Sequence, residues 1–198
     1  MAATEHHFFA LMSRLKYIER WALMRSSAPE NRAEQSLEVA MIAHVLCVIA
    51  NERYGRDLNA ERAALIGMYH DASEIITGDM PTPVKYFNQD IRSAYAKVEE
   101  AAEQRLLDAL PDDLRPYYEN VFKDDRDAYE RRLVKAADKI SALIKCIDEG
   151  HSGNEEYVSA AATTRAAIEE MAGRLPEVRD FMDEFMPSYG HTLDELLH

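Results

Sequence analysis

The sequence predicts an all-α protein, on three observations. Glycine and proline are scarce, at seven each in 198 residues, while Ala, Leu, Glu and Arg abound; that is the composition of helices. Apolar residues recur at spacings of three and four along most of the chain. Start and stop signals fall where those patterns begin and end: Asn31 followed by Glu34, Gly78 followed by Pro81 and Pro83, and Pro111.

Taken in order, residues 4–19 read as a helix through Phe8, Leu11, Met12, Leu15 and Ile18, closing at Glu19-Arg20-Trp21. Ser26 to Asn31 is a loop, and Asn31 with Glu34 forms a capping box for the next helix. That helix runs through Leu37, Met41, His44, Val45 and Val48 to about Asn51, with His44 read as a core histidine. Residues 53–57 turn, and Leu58 or Asn59 opens a helix that carries His70 and Asp71. Gly78 supplies a left-handed stop, and the two prolines keep the helix from resuming. Helices are predicted at 88–109, 112–122 and 125–149, then at 155–172 and 174–186, before a polar tail. The chain reads as one domain over 1–198, with a core of about residues 4–150 and C-terminal helices over about 155–198.

The formal charge of −13 excludes a surface that coats a nucleic acid polymer, which needs basic patches. An anionic substrate would need a local cation, either a metal or a placed arginine. No apolar run approaches a membrane span, and the N-terminus lacks the basic-then-apolar order of a signal peptide. The two cysteines, Cys47 and Cys146, fall in apolar helical patterns and read as buried free thiols of a cytoplasmic protein.

Three places carry chemistry. His70-Asp71, with Glu74 one turn on, can crowd one edge of a helix just before the acidic turn at Asp79. That is either a core histidine satisfied by a carboxylate or a metal-and-phosphate site. Asp138 lies inside the apolar run from Leu133 to Ile147, where a carboxylate is costly unless it is salt-bridged or coordinates a metal. Arg20-Trp21 is either a core anchor with a snorkelling neighbour or a phosphate clamp beside a flat wall. Lys85 is a minor phosphate candidate. An imidazole with two carboxylates suits Mn, Co, Fe or Zn rather than calcium.

These residues sit in longer matches. The chain resembles the HD-domain phosphohydrolases, and more narrowly the bacterial 5'-deoxynucleotidases of that superfamily. The resemblance begins with Phe8-Phe9-Ala10, Ser13-Arg14-Leu15-Lys16 and Arg20-Trp21. It is strongest over Met68 to Glu74 and Thr77 to Phe87, and continues through Leu133-Val134-Lys135-Ala136-Ala137-Asp138. It implies an HD-domain helical bundle, usually a homodimer, that removes the 5'-phosphate of deoxyribonucleoside monophosphates and rejects ribonucleotides. It also implies roles. His70, Asp71 and Asp138 would ligate a divalent metal, Co or Mn foremost, with Zn, Fe or Mg as alternatives. Glu74 would move a proton or orient water, and Arg20 would hold the phosphate. Trp21 with Asp79, Met80, Pro81 and Thr82 would shape the sugar site, with Asp71 and Asp138 also facing substrate.

One departure stands out. The family's first metal ligand is a His in a Glu-His-Ser-Leu run, and this chain has Glu34-Gln35-Ser36-Leu37. A neutral amide oxygen is a much weaker ligand than imidazole. The alternatives are a deoxynucleoside triphosphate triphosphohydrolase of the same superfamily or, because of Gln35, a nucleotide-binding protein with impaired catalysis.

Overall fold

Helical hydrogen bonding accounts for nearly all of the regular structure. The computed structural model describes residues 5–123 and 125–198; the predicted helix start at residue 4 lies outside them. Eleven helices occur among the described residues: α1 Phe8–Met12, α2 Arg32–Tyr54, α3 Ala60–Tyr69, α4 Glu74–Thr77, α5 Thr82–Lys85, α6 Gln89–Leu107, α7 Arg115–Phe122, α8 Ala128–His151, α9 Val158–Ala172, α10 Pro176–Glu184 and α11 Leu193–Leu197. The β pairing among them is one isolated antiparallel bridge, Glu19 with Asn31. The all-α expectation holds.

Several local signals act as read. Asn31 Oδ1 accepts the amides of Ala33 and Glu34, and the Glu34 carboxylate accepts the Asn31 amide, completing the capping box. Asn59 Oδ1 likewise accepts the Arg62 amide at the start of α3. Gly78 closes α4 at φ 71°, ψ 169°, a region open in practice only to glycine.

Other expectations are corrected. Only Phe8–Met12 of the first predicted helix is α-helical, and Ser13–Tyr17 tightens into a 3₁₀ turn. The prolines after Gly78 do not exclude helix: Pro81 precedes α5 and Pro83 sits in its first turn, where a missing N–H costs nothing. The polar tail forms α11 behind a Thr192–Glu195 capping box. α2 is 23 residues long and meets a membrane-span criterion of length and composition, although 56% of that window is buried, as in a core helix.

The chain folds into two compact units interleaved in sequence. The first takes the described residues up to Arg25, then Pro29–Ser36 and Tyr69 to Asp125; the second takes Ser26–Ala28, Leu37–Met68 and Arg126–His198. In the first unit, Phe8, Ala72, Leu106, Leu107 and Leu110 form a small core, with Tyr69, Tyr118 and Phe122 packed against it. The ring of Phe8 lies 4.9 Å from that of Tyr118 and 6.2 Å from that of Tyr69. Two polar ties fasten α4 and α5 to α6, Tyr95 hydroxyl to Thr77 at 3.2 Å and Lys85 to Glu99 at 2.7 Å.

The second unit holds the larger core. α8 contributes Leu133, Ala136, Ala137, Ile140, Leu143 and Ile144, packed with buried residues of α2, α3, α9 and α10. Cys47 and Cys146 are buried free thiols, as expected, and burial pushes Cys47 up to about 12. The opposite face of α2 is not core. His44, Leu37, Met41 and Val48 are exposed, so the core-histidine reading of His44 fails: the helix is apolar nearly all round, and periodicity alone does not say which face finds a partner.

Where α2 and α3 approach, Gly67 takes the place of a side chain. A Cβ there would stand 2.8 Å from Ala40 Cα, below any tolerable contact, and the obstacle is backbone. Gly67→Ala is expected to destabilise the fold by about 1–3 kcal/mol, read from the urea midpoint at unchanged m-value.

Glu149, fully buried, anchors Ser26–Ala28 to the end of α8. Its carboxylate accepts the Ser27 amide at 2.8 Å, Asn154 Nδ2 at 2.8 Å and Lys145 Nζ at 2.5 Å. Burial alone would raise its pKa, yet Lys145 and these amides hold it well below the usual carboxylate range. Its stabilisation is therefore complete above the unfolded pKa of 4.5 and is lost as pH falls toward the depressed folded value. The stability of the native protein should fall more steeply below pH 4.5 than that of Glu149→Gln, as measured by denaturant titration at successive pH values.

Candidate active site

The site-bearing part of the first unit is built from two chain segments. The first is the strand-like approach to α2. The Arg20 amide donates to Glu30 O at 2.9 Å and the Arg32 amide to Ile18 O at 2.9 Å, so residues 18–20 and 30–32 run side by side. The chain then turns sharply: Trp21 adopts φ 60°, a left-handed conformation that is strained for a bulky residue. The Met24 amide, donating to Trp21 O at 2.7 Å, closes the turn.

Arg20 is buried, and its Nη1 donates to Glu30 at 2.5 Å. Its guanidinium lies 5.6 Å from the Trp21 ring centre. The pair is thus fixed in place, with Glu30 holding one edge of the arginine fork.

The second segment is the turn from His70 to Asp79. His70 and Asp71 do not lie on a helix as predicted. α3 ends at Tyr69, and the amides of Ala72 and Glu74 donate three residues back, to Tyr69 O and Asp71 O, each at 3.0 Å. The difference has a consequence. Adjacent side chains on an α-helix point about 100° apart, whereas this tighter turn brings His70 Nε2 within 3.0 Å of Asp71 Oδ2. α4 then presents Glu74 from its first position, buried. Asp79, Met80 and Pro81 follow Gly78, half-buried, and Thr82 is exposed. Lys85, the minor candidate, is taken up by Glu99.

The sequence reading missed Arg32, the residue that joins the two segments. Arg32 opens α2 with its side chain buried. Its Nη1 meets Asp71 Oδ2 at 2.8 Å, and its Nη2 meets Glu74 Oε1 and Asp79 Oδ1, each at 2.8 Å. Nε also lies in ion-pair contact with the second Glu74 oxygen. Gln35, one turn along α2 and buried, receives Nη1 at 3.4 Å. The available signal was chemical rather than local: Asp71, Glu74 and Asp79 crowded in one turn require a cation, and only a distant residue can supply it.

Electrostatics at Glu74 are opposed. Burial, the largest effect, and then the Asp71 charge raise its carboxyl well above the usual range, while Arg32 pulls it down. Such a carboxyl is suited to exchanging a proton near neutrality.

Asp138, in the second unit, sits at the middle of α8 with about a quarter of its side chain exposed, and Lys139 Nζ is 3.5 Å away. It is therefore not the deeply buried carboxylate that the apolar run suggested.

The sequence matches the family described as 5'-deoxynucleotidase YfbR-like over residues 7–189. A 5'-deoxynucleotidase of Vibrio cholerae serotype O1 is 47% identical over 196 residues, spanning 97% of this chain and 98% of its own. Among solved structures, an HD-domain phosphohydrolase of Listeria innocua superposes with a TM-score of 0.80 at 26% identity, over 92% of this chain and 88% of that one. The HD phosphohydrolase of cyanophage S-2L, bound to dA and one catalytic Zn2+ ion, shares the fold at a TM-score of 0.60 and 23% identity, over 97% of this chain and the whole of its own.

Proposed function

We propose, because this chain belongs to the 5'-deoxynucleotidase YfbR-like family, that it hydrolyses deoxyribonucleoside 5'-monophosphates to deoxynucleoside and phosphate. The observation that carries the reading is the family match over residues 7–189, within which Asp71, Glu74 and Asp79 gather around Arg32. The HD-domain fold places the chain among phosphohydrolases.

His70, Asp71 and Asp138 are assigned to a divalent metal, with Mn or Co foremost and Zn, Fe or Mg as alternatives. An imidazole and two carboxylates are a fitting donor set, and the convergence of His70 Nε2 and Asp71 Oδ2 at 3.0 Å supports it. A bound divalent ion would neutralise phosphate charge and lower the pKa of a bound water.

The chain's own groups supply the rest. Glu74, with its raised pKa, accepts a proton from the attacking water or orients it. Arg20 holds the phosphate and stabilises charge on its oxygens in the transition state; the Glu30 contact keeps its fork oriented. Trp21 and the stretch from Asp79 to Thr82 wall the sugar, with selection against a ribose 2'-hydroxyl assigned to this wall.

The chain is also read as a cytoplasmic homodimer. The buried free thiols suit a reducing compartment. The exposed apolar side chains of Leu37, Met41 and Val48 along α2 support self-association.

Phosphate release from deoxyadenosine monophosphate and from its ribose counterpart tests this reading, with Mn2+ or Co2+ supplied. The deoxy substrate is expected to turn over selectively, and Arg20→Ala is expected to lower kcat by about 10²–10³-fold. Gln35→His should reach half-maximal rate at a metal concentration lower by about tenfold or more. Failure of both the native protein and Gln35→His to release phosphate would overturn the assignment.

A further inference from the structure

Arg32 stands buried among the carboxylates of Asp71, Glu74 and Asp79. Three carboxylates meet its guanidinium, and the Gln35 amide oxygen faces it as well. A guanidinium has five N–H donors in a planar fork and cannot be deprotonated in a protein. Here Nη1 meets Asp71 and Gln35, Nη2 donates to Glu74 and Asp79, and Nε lies in ion-pair contact with Glu74. The backbone holds the side chain to this task, through the Arg32 amide on Ile18 O and the Asn31 cap next to it.

We infer that Arg32 is a resident counter-cation of this site, one that neutralises the carboxylate cluster and competes with a divalent metal for Asp71. The inference rests on the reading of Asp71 as a metal ligand. The contested atom is Asp71 Oδ2, which meets His70 Nε2 at 3.0 Å and Arg32 Nη1 at 2.8 Å. A metal ion bound to that oxygen at about 2.0–2.2 Å would lie against a permanent positive charge. Either the guanidinium withdraws from Asp71 or the ion binds weakly.

Gln35 fits the same account. Its neutral oxygen accepts from Arg32 Nη1 at 3.4 Å, whereas an imidazole there would be the stronger metal ligand. The residue pair one turn apart on α2 thus favours an internal cation over an exchangeable one.

Calorimetric titration of the full chain with Mn2+ tests this, comparing the native protein with Arg32→Met and Arg32→Lys. Removing the charge in Arg32→Met should tighten Mn2+ binding by about tenfold or more. Arg32→Lys, which keeps the charge, should stay near the native affinity. Mn2+ should also raise the Tm of Arg32→Met more than that of the native protein, as linkage requires. Equal or weaker Mn2+ binding by folded Arg32→Met overturns the competition while leaving the metal site standing. No Mn2+ binding by either protein removes the metal reading, and this inference with it. Should Arg32→Met not fold, the native protein decides: the Arg32 Nε–H resonance, identified by its loss in Arg32→Lys, should shift on saturation with Zn2+. A resonance unmoved while Zn2+ binds overturns the inference.

Discussion

Carboxylates crowded together and drawn partly out of water repel one another and lose hydration, so a turn that gathers half-buried Asp71 and Asp79 around buried Glu74 calls for a cation among them. Arg32 supplies that cation from the head of α2, and its fork reaches all three. Much of the first unit follows from this. The 18–20 and 30–32 segments pair to fix the start of α2, the His70–Ser73 turn abandons helix geometry, and Gly78 redirects the chain so that Asp79 comes back toward the guanidinium. Breaking one partner of such a set is costlier than never having built it, because the remaining charges, Glu74 above all, stay partly or wholly out of water.

The parts of the fold legible in the sequence are those set by neighbours a few residues apart. The Asn31–Glu34 capping box, the Asn59 cap and the Gly78 stop are local hydrogen-bonding and backbone devices, and each appears where the pattern put it. The Thr192–Glu195 box obeys the same rule and is equally local, so it turns a tail of polar composition into a helix. The long helices α2, α6 and α8 follow from periodicity that tertiary packing then reinforces.

What escaped depends on partners far away in sequence. Apolar spacing on α2 gives Leu37, Met41 and Val48 the look of core, yet the buried face is that of Val39, Ala43, Leu46 and Ala50; a helix apolar on every side offers two candidate faces. Nothing local marks the switch from helix to donation three residues back at Ala72 and Glu74, so the sequence pattern carries the helix through His70 and Asp71. Arg32 sits 39 to 47 residues from the carboxylates it binds, as the separations from Asp71 and Asp79 show, and no motif announces it. The candidate site itself was legible chiefly through resemblance, since the dipeptide His70-Asp71 is weak alone while the long run to Phe87 is specific.

One backbone device serves both arginines of the first unit. The bridge between Glu19 and Asn31 carries Arg20 on one side and Arg32 on the other, each one residue beyond the paired position. The chain turns directly after that bridge, and Trp21 takes the left-handed strain at φ 60°. Strain of this kind costs about 1–3 kcal/mol and persists only where the surroundings over-determine it. Here they do: the Arg20 amide, the Arg32 amide and the Met24 amide all bond across the turn. The strained tryptophan is therefore a consequence of holding two guanidinium groups at set positions. One is anchored by Glu30, in the role assigned to the phosphate clamp, and the other is committed to the carboxylates.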